Sequence, residues 1–130
     1  MIILDTCALI FDALNPKKLT LNATQAIVQA EKKEQLFCCD ISLWEIAMLV
    51  QKNRLMLETD TQTFLNLMLA ARAITVLEIN PAIAALSAQD YFKHQDPSDR
   101  LIASTALHYQ ATLITSDQKL MKVPDLKVIW

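Results

Sequence analysis

Four acidic residues stand where apolar runs give way to turns or helix starts. Asp5 closes "MIILD", Glu45 lies in "ISLWEIAMLV", Asp99 in "DPSDRLIASTAL" and Asp117 in "ATLITSD". Carboxylates gathered at close quarters repel, raise one another's pKa and cost stability unless positive charge sits among them. Arg100 is the one basic residue directly adjacent to any of the four. A hard divalent cation such as Mg²⁺ is the natural counter-charge, because it takes oxygen ligands, keeps several waters and binds through one or two carboxylates plus substrate phosphates. Two such ions roughly 3.5–4 Å apart clamp the attacking and leaving oxygens of a phosphodiester and activate the water. That chemistry needs no catalytic His, Ser or Cys.

Each acid also has a structural reading. Ser42-Leu-Trp-Glu45 matches the S-x-x-E capping box. Asp99 in a first helical turn answers the helix dipole, and Asp117 can cap a short helix over "QKLM". Asp96, just before Pro97, reads as the cap itself and is assigned a structural role. Asp5 is the hardest to dismiss, because the first strand of such a sheet is usually central and its end is crowded.

The rest of the composition narrows the alternatives. Glycine is absent. That excludes a P-loop, a dinucleotide fingerprint and a nucleophile elbow, all of which need glycine for close backbone approach or positive φ. Tight turns then fall to Asn and Asp, such as Asn15, Asn53 and Asn80, as residues that tolerate the left-handed region. Net charge is −2, so no global basic field attracts nucleic acid. Cys7, Cys38 and Cys39 form no C-x-x-C pair and read as buried free thiols. His94 reads as a solvated loop residue and His108 as a partner of local helix-end carbonyls. No apolar run reaches the roughly 18–20 residues of a membrane span, and "MIILDTCALIF" lacks the basic start of a secretion signal, so a cytoplasmic protein is expected.

The elements that must position the acids alternate along the chain. "MIILD", "LFCC", "ITVLEI", "ATLIT" and "KVIW" read as strands. Between them, helices are expected over "ALIFDAL", from Thr20 to about Gln35, from Ser42 to about Asn53, after Asp60 or Thr61, after Asn80-Pro81, after Asp96-Pro97, and briefly over "SDQKLMK". This alternation predicts one domain over residues 1–130: a three-layer α/β/α sandwich around a central, mostly parallel sheet. Sites in such sheets form beyond the carboxyl ends of the strands, which is where all four acids fall.

With the acids placed, the chain resembles the PIN-domain family, and more closely the VapC-type toxins of bacterial toxin–antitoxin pairs. "LDTCALIF" is similar to the family's opening block, "ISLWEIAMLVQKNRL" to its second, "DPSDRLIASTAL" to its third and "ATLITSDQKL" to its fourth. The resemblance implies a Mg²⁺- or Mn²⁺-dependent endoribonuclease that cuts single-stranded RNA, with tRNA or rRNA as substrate. It further implies a homodimer, silenced by an antitoxin whose tail reaches the acidic site. On this reading Asp5, Glu45, Asp99 and Asp117 are catalytic. Asp5 and Asp99 are the main metal ligands, Asp117 and Glu45 complete the site or orient the water, and Thr115 lends a supporting hydroxyl. Asp99 rather than Asp96 takes the metal position. Relatives often have glycine where Gln95 and Gln110 stand here, a departure that bears on loop geometry.

Two other functions compete. One is a PIN-like binding module without turnover, docking RNA or protein, with Trp44, Phe64 and Met68 at an interface unless they are ordinary core. The other is a DNA-directed repair or replication nuclease, for which 130 residues leave little room to grip duplex or flap DNA.

Overall fold

The structure is a computed structural model; it describes residues 1–89, 92 and 96–130. The expectations for His94 and Gln95 fall outside the described residues. Strand β1 (Ile2–Leu4) leads into α1 (Thr6–Leu14), a single 3₁₀ turn at Pro16–Lys18 and α2 (Leu21–Lys32). Then come β2 (Leu36–Cys39), α3 (Asp40–Gln51), α4 (Thr61–Ala71) and β3 (Thr75–Leu77). The chain continues through α5 (Pro81–Ser87), α6 (Pro97–Tyr109), β4 (Thr112–Ile114), α7 (Gln118–Met121) and β5 (Lys127–Ile129).

The five strands form one sheet in the order β3-β2-β1-β4-β5, and every pairing is parallel. β1 is therefore central, with Leu4 registered against Cys38 on one side and Ile114 on the other. Strand side chains alternate between faces, and the core divides accordingly. Leu4, Leu36, Cys38 and Ile114 pack with Ala8 and Leu9 of α1, Ala23 and Ile27 of α2, Ile46 of α3, and Phe64 and Met68 of α4. On the opposite face Ile3, Cys39 and Leu113 pack with Ile102, Ala103 and Ala106 of α6 and Leu120 of α7. These are the two helical layers of the expected sandwich. Fully burying each large aliphatic side chain contributes about 1.5–3 kcal/mol, which sets the sheet, and hence its carboxyl edge, rigidly.

Local chemistry starts the helices where the caps predict. Thr20, Asp60 and Asn80 each accept from the backbone N–H three residues on, and Pro81 and Pro97 stand in first turns. Left-handed backbone is carried by Glu34, Asn53, Ala73, Gln110 and Asp125. Asn53 matches expectation. Asn15 and Asn80 do not, with φ of −151° and −110°: Asn80 is the extended N-cap of α5, and Asn15 joins the end of α1 to the 3₁₀ turn. Gln110 ends α6 at φ 53°, ψ 38°, so the loop without glycine still makes the turn, at the steric cost of a Cβ there.

One ion-pair network ties the first layer together. Arg72, just past α4, donates from Nε to Asp12 of α1 at 2.8 Å and from Nη1 to Glu31 of α2 at 2.8 Å. The other carboxylate oxygen of Asp12 is buried without a hydrogen-bond partner.

Candidate active site

Asp5 follows the last residue of the central strand and begins α1 as its N-cap. Its Oδ1 accepts from the Ala8 N–H at 2.8 Å, while its own N–H donates to the Ile114 carbonyl at 3.1 Å. The side chain is thus pinned between β1, β4 and α1, and the residue is 6% exposed. Burial pushes its carboxyl from an ordinary 3.8 up to about 6; bonds from the Thr115 hydroxyl and the Ala8 amide pull it back, and the charges of Asp117 and Glu45 raise it.

Glu45 reaches the same edge from α3, but not as the sequence suggests. The helix begins at Asp40 after Cys39, not at Ser42, so Ser42 lies inside the first turn and Glu45 in the second. The S-x-x-E match is therefore no capping box. Ser42 is fully buried, and its Oγ lies 2.9 Å from Thr6 Oγ1, which in turn bonds Glu45 Oε1. Burial raises the Glu45 pKa, the Thr6 hydroxyl lowers it, the charge of Asp96 raises it, and the Ser98 hydroxyl lowers it.

The remaining acids come from the two segments flanking β4. Asp96 caps α6 by accepting from the Ser98 N–H at 2.9 Å, as assigned, and its charge also reaches Glu45. Asp99 lies in the first turn of α6, partly buried. Asp117 follows β4; its N–H donates to Thr115 Oγ1 at 3.1 Å and its Oδ1 accepts from the Lys119 N–H at 2.8 Å, capping α7. Its structural reading therefore holds alongside its place near Asp5. Arg100, the adjacent cation in sequence, extends to α5 and its following turn, donating to the carbonyls of Ser87 at 2.8 Å and Gln89 at 3.3 Å.

Cys7 registers the convergence of all four. Contrary to the buried reading, it is exposed, whereas Cys38 and Cys39 are buried. Partial enclosure, followed by the charges of Asp5, Glu45, Asp99 and Asp117, pushes its thiol up to about 11. The charges of the four carboxylates thus all reach one thiol, from the residue after β1, from α3, from α6 and from the turn after β4. Their donors are all oxygen and suit a hard divalent ion. Among the described residues no three His, Cys, Asp or Glu side chains form a ready metal-ligand group. A hard ion that keeps several waters needs only one or two direct carboxylates, so the donor set fits such an ion as an open site.

Sequence reasoning missed three hydroxyls here: Thr6, Ser42 and Ser98. Their signal is weak, because small polar residues at helix starts usually serve as caps. Of the proposed interface residues, Phe64 and Met68 are core, and Trp44, beside Glu45, is 56% exposed. His108 meets the side-chain amide of Asn80 at 3.5 Å and packs edge-on against Tyr109.

A parallel α/β/α sheet carrying acids at the carboxyl end of its central strand defines the class, and residues 2–126 match the PIN domain family. The chain belongs to that family. It is 30% identical over 120 residues to Ribonuclease VapC22 of Mycobacterium tuberculosis, covering 92% of this chain and 88% of that protein. In fold it is similar to VapBC2 from Rickettsia felis bound to a promoter DNA fragment, with a TM-score of 0.76 at 19% identity, covering 99% of this chain and 98% of that one. It is also similar to a toxin–antitoxin complex from Klebsiella pneumoniae, with a TM-score of 0.64 at 18% identity, covering 100% and 97% of the two chains.

Proposed function

We propose that this chain is a metal-dependent endoribonuclease, the toxin of a toxin–antitoxin pair, with Asp5, Glu45, Asp99 and Asp117 as its catalytic residues. The observation that carries the reading is buried Asp5 at the carboxyl end of the central strand, with the charges of Glu45 and Asp117 acting on it and those of all four acids acting on neighbouring Cys7. A 30%-identical relative named as a ribonuclease supports it. Asp5 and Asp99 would hold Mg²⁺ or Mn²⁺ through carboxylate oxygens, with Asp117 completing the site through a bound water. Bound there, the ion supplies positive charge to the phosphate and lowers the pKa of a coordinated water.

The protein's own groups do the rest. Asp5 is fixed by its cap bond, so its orientation costs no reorganisation during the reaction. Glu45, held by hydroxyls, orients the attacking water and takes its proton as a bond forms from water oxygen to phosphorus and one phosphoester P–O bond breaks, the leaving oxygen taking a proton from solvent. The partners implied are RNA (tRNA or rRNA), an antitoxin protein and a second copy of this chain, acting in the cytoplasm. Among the described residues no helix is long and apolar enough to cross a membrane.

The test is incubation of the protein with a total RNA pool and with flap DNA, each with Mg²⁺, Mn²⁺ or chelator. RNA cleavage that needs the ion and is lost in Asp99→Asn is expected. Binding of RNA without cleavage under every condition would instead establish a docking module without turnover, and preferential flap cutting a DNA nuclease.

A further inference from the structure

We infer that Thr6 and Ser42 are positioning residues: a two-hydroxyl relay that holds the Glu45 carboxylate in its working orientation. The inference rests on the nuclease reading above for what Glu45 does, but on geometry alone for how it is held. Thr6 Oγ1 lies within hydrogen-bond distance of both Glu45 Oε1 and Ser42 Oγ. A hydroxyl has one proton to give. The carboxylate accepts only, so Thr6 donates to Glu45, and Ser42 donates to Thr6.

Both hydroxyls are buried, Thr6 at 7% and Ser42 at 0% exposure, so water does not readily replace the bond between them, while the half-buried Glu45 faces the site. If packing were the only requirement, valine and alanine would fill these two positions without the cost of burying a hydroxyl. Ser42 and Glu45 lie three residues apart on α3 and so share a face. Thr6 meets both from the first turn of α1. That turn is itself locked by the Asp5 cap, so the grip on Glu45 is one peptide bond from Asp5. Glu45 is a flexible side chain on a different helix, and the relay removes its rotameric freedom before substrate arrives.

The test compares Thr6→Val, Thr6→Ser and Ser42→Ala with the parent protein, with Glu45→Gln as reference. Thr6→Val keeps shape and removes the donor. RNA cleavage at saturating metal is expected to lose about 10- to 100-fold in kcat, the scale of a charge-assisted hydrogen bond, with KM within about twofold. Thr6→Ser restores most of the rate, and Ser42→Ala costs less than Thr6→Val. In the metal-free proteins, the ¹³C resonance of the Glu45 carboxyl moves in Thr6→Val and returns in Thr6→Ser. Undiminished kcat in Thr6→Val, or a Thr6→Ser variant as impaired as Thr6→Val, overturns the relay. If Thr6→Val does not fold, Ser42→Ala carries both readouts. If the parent cuts no RNA, the nuclease reading fails, and the carboxyl resonance alone still decides whether the hydroxyls hold Glu45.

Discussion

Replacing Asp5 with asparagine should make the metal-free protein more stable while removing its proposed activity. Burial favours the protonated Asp5 carboxyl, raising its pKa from 3.8 to about 6. The fold's preference for the neutral form is fully felt below pH 3.8 and is lost as pH rises through about 6. Above that, the ionised group burdens the folded state by about 3 kcal/mol, since each pKa unit is worth about 1.36 kcal/mol. Asparagine is neutral and isosteric, and its oxygen still accepts from the Ala8 N–H. Imperfect pairing of its amide with Thr115 trims the gain, leaving about 1–3 kcal/mol at pH 7.5, or roughly 4–12 °C in Tm for a domain of this size. Urea and thermal unfolding with chelator, at intervals from pH 4 to pH 8, measure it. The gap between variant and parent should narrow as pH falls below 6 and close near pH 4. Mg²⁺ should raise the parent's Tm and not the variant's. An Asp5→Asn protein no more stable than the parent at pH 7.5, or a gap independent of pH, refutes the reasoning.

Three further outcomes follow from the same structure. The Cys7 thiol, pushed up to about 11, should alkylate about tenfold more slowly than free cysteine near neutral pH; Mg²⁺ among the carboxylates should speed labelling and chelator reverse it, and a rate indifferent to Mg²⁺ contradicts an ion at that edge. Arg72→Ala should cost about 2 kcal/mol in urea unfolding by leaving Asp12 buried without its cation, and adding Asp12→Asn should recover part of that loss; a single-variant effect below about 0.5 kcal/mol argues against the network. Gln110→Gly should stabilise by about 0.5–1 kcal/mol through relief of left-handed strain at the end of α6, and a loss of stability instead would show that the glutamine side chain contributes there.

Much of this was legible in the chain itself, and for definable reasons. Short β-branched runs separated by capped helices specify the alternation, so all five strands and the parallel order of layers were readable. The placement of Asp5 and Asp117 at the sheet's carboxyl edge was readable because Asp5 directly follows one buried strand and Asp117 lies three residues past another. What was not readable depends on contacts between distant segments. The meeting of Thr6 with Ser42 and Glu45 joins residues 36 and 39 positions apart, across two helices, and no local pattern encodes it. Ser-x-x-Glu misled because a capping box is defined by where the helix starts, and α3 starts at Asp40. Arg100 stands beside Asp99 in sequence yet serves the carbonyls at the end of α5. Asn15 and Asn80 tolerate positive φ but sit at helix boundaries with negative φ, while Glu34, Ala73 and Gln110 take the left-handed turns because the tertiary path demands it.

The strand order has a consequence for how the protein comes into being. β1 is the first strand in the chain, yet it pairs with β2 and β4, and the acids contributed around β4 come from α6 and the turn that follows the strand. A nascent chain that has emerged only through α5 holds Asp5 and Glu45 beside an unfilled sheet, with neither Asp99 nor Asp117 present. Pairing between such distant strands is slow and comes late. Partial translation products that end before β4 therefore lack the complete acid edge, which forms only once β4 has joined the sheet.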